Sequence, residues 1–281
     1  MIKITPIETG KARMKSAQQT GREGRSPFGR KLDIFRDTKW VGPLPILSYL
    51  IEHPEGRFIV DTGDTWRNSV PGYLPSWHPF FTKQVIIKVA PLEEIGPRLQ
   101  AMGLDPARDI RAVILTHFHH DHTGGLDHFP HTPIIGTRES WDACRGWKGL
   151  LVGGGLPHRW PTWLKPEFVE MDGPAVGPFP ASHRVTSDGR IFLVPTPGHS
   201  HGHIAVVVRG EGITYFFAGD ATYTEDNLRA EQTDGVTYDP ALSRATLRAI
   251  KTFAASEPTI LLPAHDPDGP ARLAAQQVYR E

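Results

Sequence analysis

A chain of 281 residues, 39% hydrophobic and 22% charged, is long enough for one large domain around a buried core. Lys plus Arg equals Asp plus Glu, at 31 each, so no net field gathers polyanions and nucleic acid is excluded as the main partner. The lone cysteine, Cys144, rules out an intrachain disulfide framework, and no apolar run approaches the ~18 residues of a membrane span or forms the core of a signal peptide. The expectation is a cytoplasmic, soluble single domain over residues 1–281, with no membrane partner.

In chain order, residues 10–39 are polar and net basic with little periodicity. They read as a solvated arm, or as a segment that orders against a partner subunit or a pocket rim. Residues 46–52 and 57–61 flank a His-Pro-Glu-Gly turn and predict a β-hairpin ending in Asp61-Thr62-Gly63. Residues 64–82 form a long loop carrying Trp66, Tyr73, Trp77, Phe80 and Phe81, and loops of this length are usually functional. Helical spacing of Leu92, Ile95, Leu99 and Met102 predicts a helix over 91–102. Val113-Ile114-Leu115 reads as a strand buried on both faces, and it runs straight into Thr116 and a histidine cluster.

A second aromatic segment, 145–165, carries Trp147, Trp160 and Trp163. Strand-like runs then follow at 191–194, 204–208, 213–218 and 259–262. The first leads to Pro197-Gly198-His199, the third to Gly219-Asp220 and the last to Pro263-Ala264-His265. Residues 240–255 read as a helix with Leu242, Leu247, Ile250 and Phe253 along one stripe. The recurrent unit is an apolar strand followed by a loop bearing His or Asp.

Six of the 14 histidines lie between His117 and His131. In His117-Phe118-His119-His120-Asp121-His122, four potential ligands within six residues suit a loop that turns them inward around ions, not a regular strand or helix. Nitrogen and carboxylate donors suit zinc, and Fe, Co or Mn fit the same ligand types. His199, Asp220 and His265 each follow an apolar strand, so all three can converge on one sheet edge, and Asp220 has two oxygens with which to bridge two cations.

Thr116-His117-x-His119-x-Asp121-His122, then Gly198-His199, Gly219-Asp220 and a late His265, resemble the metallo-β-lactamase superfamily. The resemblance implies an α+β fold, the four-layer αββα metallo-β-lactamase sandwich. It assigns His117, His119 and His199 to one metal and Asp121, His122 and His265 to the other, with Asp220 and a hydroxide between them. Asp220-Ala221-Thr222-Tyr223 and Thr196-Pro197-Gly198-His199-Ser200-x-Gly202-His203 are further similar to N-acyl-homoserine lactone lactonases, the quorum-quenching lactonases. That implies a catalytic trio of Asp121, Tyr223 and Asp220, two divalent ions, a small-molecule lactone as substrate, and ring opening by the bridging hydroxide. Another lactone, an ester, a thioester or a phosphoester on the same metals is the alternative.

Asp61 is expected to hydrogen-bond a ligand histidine. His120, Trp40, Trp66, Tyr73, Trp77, Phe80, Phe81 and Trp147 are the candidate substrate-binding side chains. Loop aromatics of this kind line apolar pockets and also drive subunit contacts, so a homodimer is compatible with them. His201 and His203 read as structural.

Overall fold

Every residue from Ile204 to Val208 and from Thr214 to Gly219 is buried, as strands covered on both faces require. The computed structural model, which describes residues 2–152 and 154–280, supplies the two coverings. A seven-stranded sheet contains β1 (Lys3–Lys15), β2 (Trp40–His53), β3 (Gly56–Val60), β4 (Val85–Lys88), β5 (Ile110–Ile114), β6 (Ile134–Gly136) and β7 (Glu167–Phe168), in the order β4-β1-β2-β3-β5-β6-β7. A five-stranded sheet contains β8 (His183–Arg184), β9 (Ile191–Pro195), β10 (Ile204–Arg209), β11 (Thr214–Gly219) and β12 (Thr259–Pro263), in the order β12-β11-β10-β9-β8. The helices are α1 (Ser16–Gln19), α2 (Pro27–Arg36), α3 (Pro79–Lys83), α4 (Ile95–Ala101), α5 (His120–Thr123), α6 (Arg138–Cys144), α7 (Gly146–Val152), α8 (Glu225–Arg229), α9 (Pro240–Ser256) and α10 (Gly269–Ala274).

Alternate side chains of each sheet serve two cores. Leu47, Tyr49, Ile51 and Phe58 face Val206, Val208, Phe217 and Leu262 between the sheets. Their neighbours Leu50, Ile59 and Val113 turn outward to Ile95 and Leu99 of α4. On the far side, Val207, Phe216 and Leu261 meet Leu247, Ile250 and Phe253 of α9. Helix, sheet, sheet and helix therefore stack as the expected αββα sandwich. No helix among the described residues is long and apolar enough to cross a membrane.

Three expectations are corrected. The helix predicted over 91–102 is a 3-10 turn, Pro91–Glu93, followed by α4. Pro97 cannot donate, and its ring would clash with the carbonyl four residues back, so one continuous helix cannot run through it; Leu92 and Met102 are left exposed. Leu242 lies off the buried stripe of α9 and is exposed. Most consequentially, residues 10–39 are not a solvated arm: β1 continues to Lys15, pairing along β2 as far as Trp40, and α2 is capped by Ser26 accepting from Gly29 N at 3.2 Å. Arg30 of α2 is buried, and its Nη1 donates to Thr233 Oγ1 (2.6 Å) and the Asp234 carbonyl (2.9 Å). The pocket-rim alternative describes this segment, since Met14, Gln18, Ile34 and Phe35 line the main cavity.

Candidate metal centre and substrate cavity

The topology brings the ligand-bearing loops to one edge. β11 runs parallel to β12 and, through the antiparallel β10, in the same direction as β9. The loops carrying His199, Asp220 and His265 therefore leave the same end of the second sheet. In the first sheet β3 and β5 are also parallel, so Asp61 and His117 emerge together. Ile204 N donates to the Thr116 carbonyl at 3.0 Å, which closes the two sheets on each other at this edge. Gly219 has φ +51°, and a Cβ there would lie 2.7 Å from Thr116 Oγ1, so only glycine lets the Asp220 loop come this close.

The seven side chains form two adjoining clusters. His117, His119 and His199 present donor atoms within 4.8 Å of one another, as do Asp121, His122, Asp220 and His265. Asp220, a member of the second, reaches the first: its Oδ1 lies 3.4 Å from His122 Nε2 and 3.3 Å from His265 Nε2, and its Oδ2 lies 3.6 Å from His199 Nε2. Asp121 Oδ2 is 3.4 Å from His265 Nε2, and His119 Nδ1 is 3.1 Å from His199 Nε2.

Four of the five ligand imidazoles, all but His119, are fixed from behind. His122 Nδ1 donates to Asp61 Oδ2 at 2.8 Å. Asp61, held at φ +56°, also accepts from Thr116 N at 2.8 Å and from Thr116 Oγ1 at 2.9 Å. The same Thr116 hydroxyl lies 3.1 Å from His117 Nδ1 and receives its N–H. His199 Nδ1 donates to Asp234 Oδ2 (2.9 Å), and His265 Nδ1 donates to the Pro45 carbonyl (2.9 Å). Such partners set the tautomer and leave the opposite nitrogen for an ion.

His203 accepts the Asp220 N–H at 3.2 Å and pairs with Thr196 at 2.8 Å, a structural post as its position suggests. Asp61 takes the supporting position expected of it. Asp234, Thr116 and the Pro45 carbonyl were not anticipated; the Asp234 loop, whose side chain also accepts from Val236 N, Thr237 N and Thr237 Oγ1, gives only a turn-like signal in sequence.

The donor set fits metal ions on its own evidence. His117 Nε2, His122 Nε2 and Asp220 Oδ1 are buried with no hydrogen-bond partner, a costly condition that a cation relieves. Burial, reinforced by the neighbouring imidazoles, pushes His117 well below the usual histidine value and His119 down to about 3, so both are neutral donors at pH 7. Burial would also lower His265, but Asp220 and Asp121 reverse that and raise it to about 10. Burial would raise the carboxyl of Asp220, yet His265 and His122 hold it well below the ordinary range. A cation entering this cluster replaces protons as the balancing charge, so its binding releases protons.

Tyr223 is buried, with its ring centroid 5.9 Å from that of His199 and 5.3 Å from that of His265. Burial first, then Asp234 and Asp220, raise its phenol well above the usual value, so it remains a hydrogen-bond donor.

Over this floor lies a cavity of about 640 Å³, lined by His119, His120, Asp121, His199, Asp220, Tyr223 and His265 at its base. Its walls include Ala12 and Met14 of β1 beside their cross-strand partners Ile87 and Val85 of β4, together with Ile34 and Phe35, Trp77, Phe80 and Phe81, and Cys144, Leu150 and Leu151. Of the candidate substrate-binding residues, His120, Trp77, Phe80 and Phe81 line it.

Trp40, Trp66, Tyr73 and Trp147 do not, for separate reasons. Trp40 lies under Lys15 Nζ at 4.0 Å on the β1–β2 ribbon. Trp66 follows Thr65 in a 3-10 turn anchored by Glu94 Oε1 accepting from Trp66 N at 3.0 Å. Tyr73 carries the Arg159 guanidinium on its ring at 4.5 Å, beside a separate small pocket. Trp147 is 68% exposed on α7. Trp160 stacks on Trp141 with centroids 4.6 Å apart and, with Trp163, packs against the core under the first sheet. Neither aromatic segment is structureless: 64–82 contains the turn Trp66–Ser69 and most of α3, and 145–165 contains α7. Residue 153 of the latter lies outside the described residues.

A double-sheet sandwich whose strand-end histidines and aspartates gather at one edge defines a metal-dependent hydrolase scaffold, and a family model described as the metallo-beta-lactamase superfamily matches residues 41–265. The chain belongs to that superfamily. It is 29% identical over 224 residues to an N-acyl homoserine lactonase of Bacillus thuringiensis, covering 79% of this chain and 82% of the relative. It is 25% identical over 233 residues to the N-acyl homoserine lactonase AttM of Rhizobium radiobacter, covering 80% and 83%.

Two solved structures share the fold. An N-acyl homoserine lactone hydrolase with the product N-hexanoyl-L-homoserine at its catalytic metal centre superposes with TM-score 0.74 at 23% identity, covering 99% of this chain and 97% of that one. AidC, a dizinc quorum-quenching lactonase, gives TM-score 0.62 at 14% identity, covering 95% and 88%.

Proposed function

We propose that this protein is a di-metal hydrolase that opens the lactone ring of N-acyl homoserine lactones. The observation that carries the proposal is the pair of donor clusters joined by the reach of Asp220 to His199, beside a buried phenol and beneath an apolar cavity. The lactonases among its relatives support the substrate class. His117, His119 and His199 would hold one ion, Asp121, His122 and His265 the other, and Asp220 would bridge. Two divalent cations, zinc by donor type, supply Lewis acidity and a water acidified toward neutrality when bound.

The chain's own residues do the rest. The Tyr223 O–H donates to the carbonyl oxygen as negative charge develops there. Asp121, at the cavity floor, or a water takes up the proton that the attacking water gives up and passes it to the ring oxygen as the C–O bond breaks. Met14, Ile34, Phe80 and Ile87 bury the acyl tail and exclude bulk water from the reacting end. A cytoplasmic location is part of the same reading, supported by the chain's single cysteine, Cys144, which leaves no intrachain disulfide. The exposed Trp147 would suit a homodimer contact.

The test is a pH-indicator assay over a panel of lactones, esters, thioesters and phosphoesters, with metal content measured alongside. Two ions per chain and ring opening of acyl homoserine lactones are expected. Turnover confined to phosphoesters or thioesters would overturn the substrate assignment, and bound metal with silence on the whole panel would overturn the enzyme.

A further inference from the structure

His120 stands where the reacting end of the cavity meets its apolar end. It precedes Asp121 in the chain, it lines the cavity, and its ring lies edge-on to Phe81 with centroids 5.1 Å apart. Behind it is a buried carboxylate: Asp64 Oδ2 accepts from His120 Nδ1 at 3.1 Å, while Asp64 Oδ1 accepts from Thr65 N at 2.8 Å. Gly124 makes room for this pair, since a Cβ there would lie 2.6 Å from Asp64 Cα and 2.8 Å from its Oδ1. His120 N donates to the Gly154 carbonyl at 3.2 Å. The imidazole is thus fixed at its backbone and at Nδ1, and Nε2 makes no hydrogen bond among the described residues.

Burying an imidazole and a carboxylate against Phe81 costs solvation that an apolar residue would not lose. A tail made only of methylenes would gain nothing from the pair. A polar linkage between ring and tail would, because a secondary amide offers an N–H for a neutral Nε2 to accept or a C=O for a charged one to address.

We propose that His120, oriented by Asp64, is the specificity-determining residue that hydrogen-bonds the amide joining a lactone ring to its apolar tail. The cavity thereby selects acylamino lactones over alkyl lactones of equal length. This inference rests on the lactonase reading and assigns the side chain that reads the amide.

The experiment compares wild type, His120→Phe, His120→Gln and Asp64→Ala on N-decanoyl homoserine lactone and on an α-alkyl-γ-butyrolactone of equal length, with metal content recorded for each. The ratio of kcat/KM between the amide and alkyl substrates should fall about tenfold in His120→Phe, mostly through KM, and stay within about twofold in His120→Gln, which keeps a hydrogen-bonding head. Asp64→Ala should lower the same ratio. The ring-opened N-decanoyl homoserine should bind His120→Phe about tenfold more weakly by calorimetry. A ratio that stays constant across all variants, both substrates falling together, overturns this proposal alone. Wild-type silence toward both lactones overturns the lactonase reading, and this one with it.

Discussion

The floor and the wall of the cavity are built on opposite principles. On the floor every ligand histidine but His119 has a named partner behind it, from Asp61, Thr116, Asp234 or the Pro45 carbonyl, and the carboxylates are locked among imidazoles. The wall is assembled from α1–α2, residues 77–87 and α6–α7, whose lining side chains are mostly apolar. Shape and exclusion of water are what it contributes. Directional bonds make the floor specific to a chemistry, while non-directional packing makes the wall adjustable in size. A change on the floor should therefore cost metal or rate, and a change in the wall should cost stability or tail preference.

Asp220→Ala tests this most severely. Both clusters lose a donor at once, so the variant should retain less than two ions per chain by elemental analysis, and turnover should fall about 10⁴-fold or more, as when one member of a catalytic unit is removed. Tyr223→Phe should keep its metal and lower turnover by about 10–10³-fold, the range for losing one donor to a developing oxyanion. Full activity of that variant would remove the phenol from the chemistry. Asp234→Ala should leave the fold intact by circular dichroism but weaken metal retention in a chelator competition by about 10–100-fold, because His199 loses its orienting partner. An unchanged chelator midpoint would show that the floor is less dependent on its supports than its hydrogen bonds suggest.

The mildest effect is expected in the wall. Arg30→Ala removes a buried guanidinium and leaves Thr233 Oγ1 and the Asp234 carbonyl without their donor, at a cost of about 2–3 kcal/mol in a denaturant titration. The comparison sharpens if that variant also loses preference for long tails over short ones, since Ile34 and Phe35 ride on the same helix.

The sequence exposed the floor far better than the wall, and the reason is geometric. A ligand set must sit just beyond strand ends, so an apolar run followed by His or Asp is a local signal repeated along the chain, and the sandwich itself shows in continuously apolar runs such as 204–208. Asp61 was readable for the same reason, as it terminates β3. Asp234 was not, because it lies 35 residues beyond the histidine it holds, in an irregular segment whose only local feature is a turn. The wall was misread where polar residues are buried. Arg30 gave 10–39 the look of a solvated stretch, although its hydrogen bonds to 233–234 pin that stretch down. Aromatic rings misled in the other direction: hydrophobicity alone does not separate Phe81 in the cavity from Trp160 in the core or Trp147 in solvent.

Asp234 receives Arg30 on its main-chain oxygen and His199 on its side chain, so the helix that shapes the tail pocket and a ligand of the ions lean on one residue. Linkage between two such equilibria is symmetric. By whatever factor an acyl tail settling against α2 tightens the equilibrium binding of the ions, the ions tighten the binding of that tail by the same factor, and a preparation stripped of metal would misjudge which tails the protein prefers.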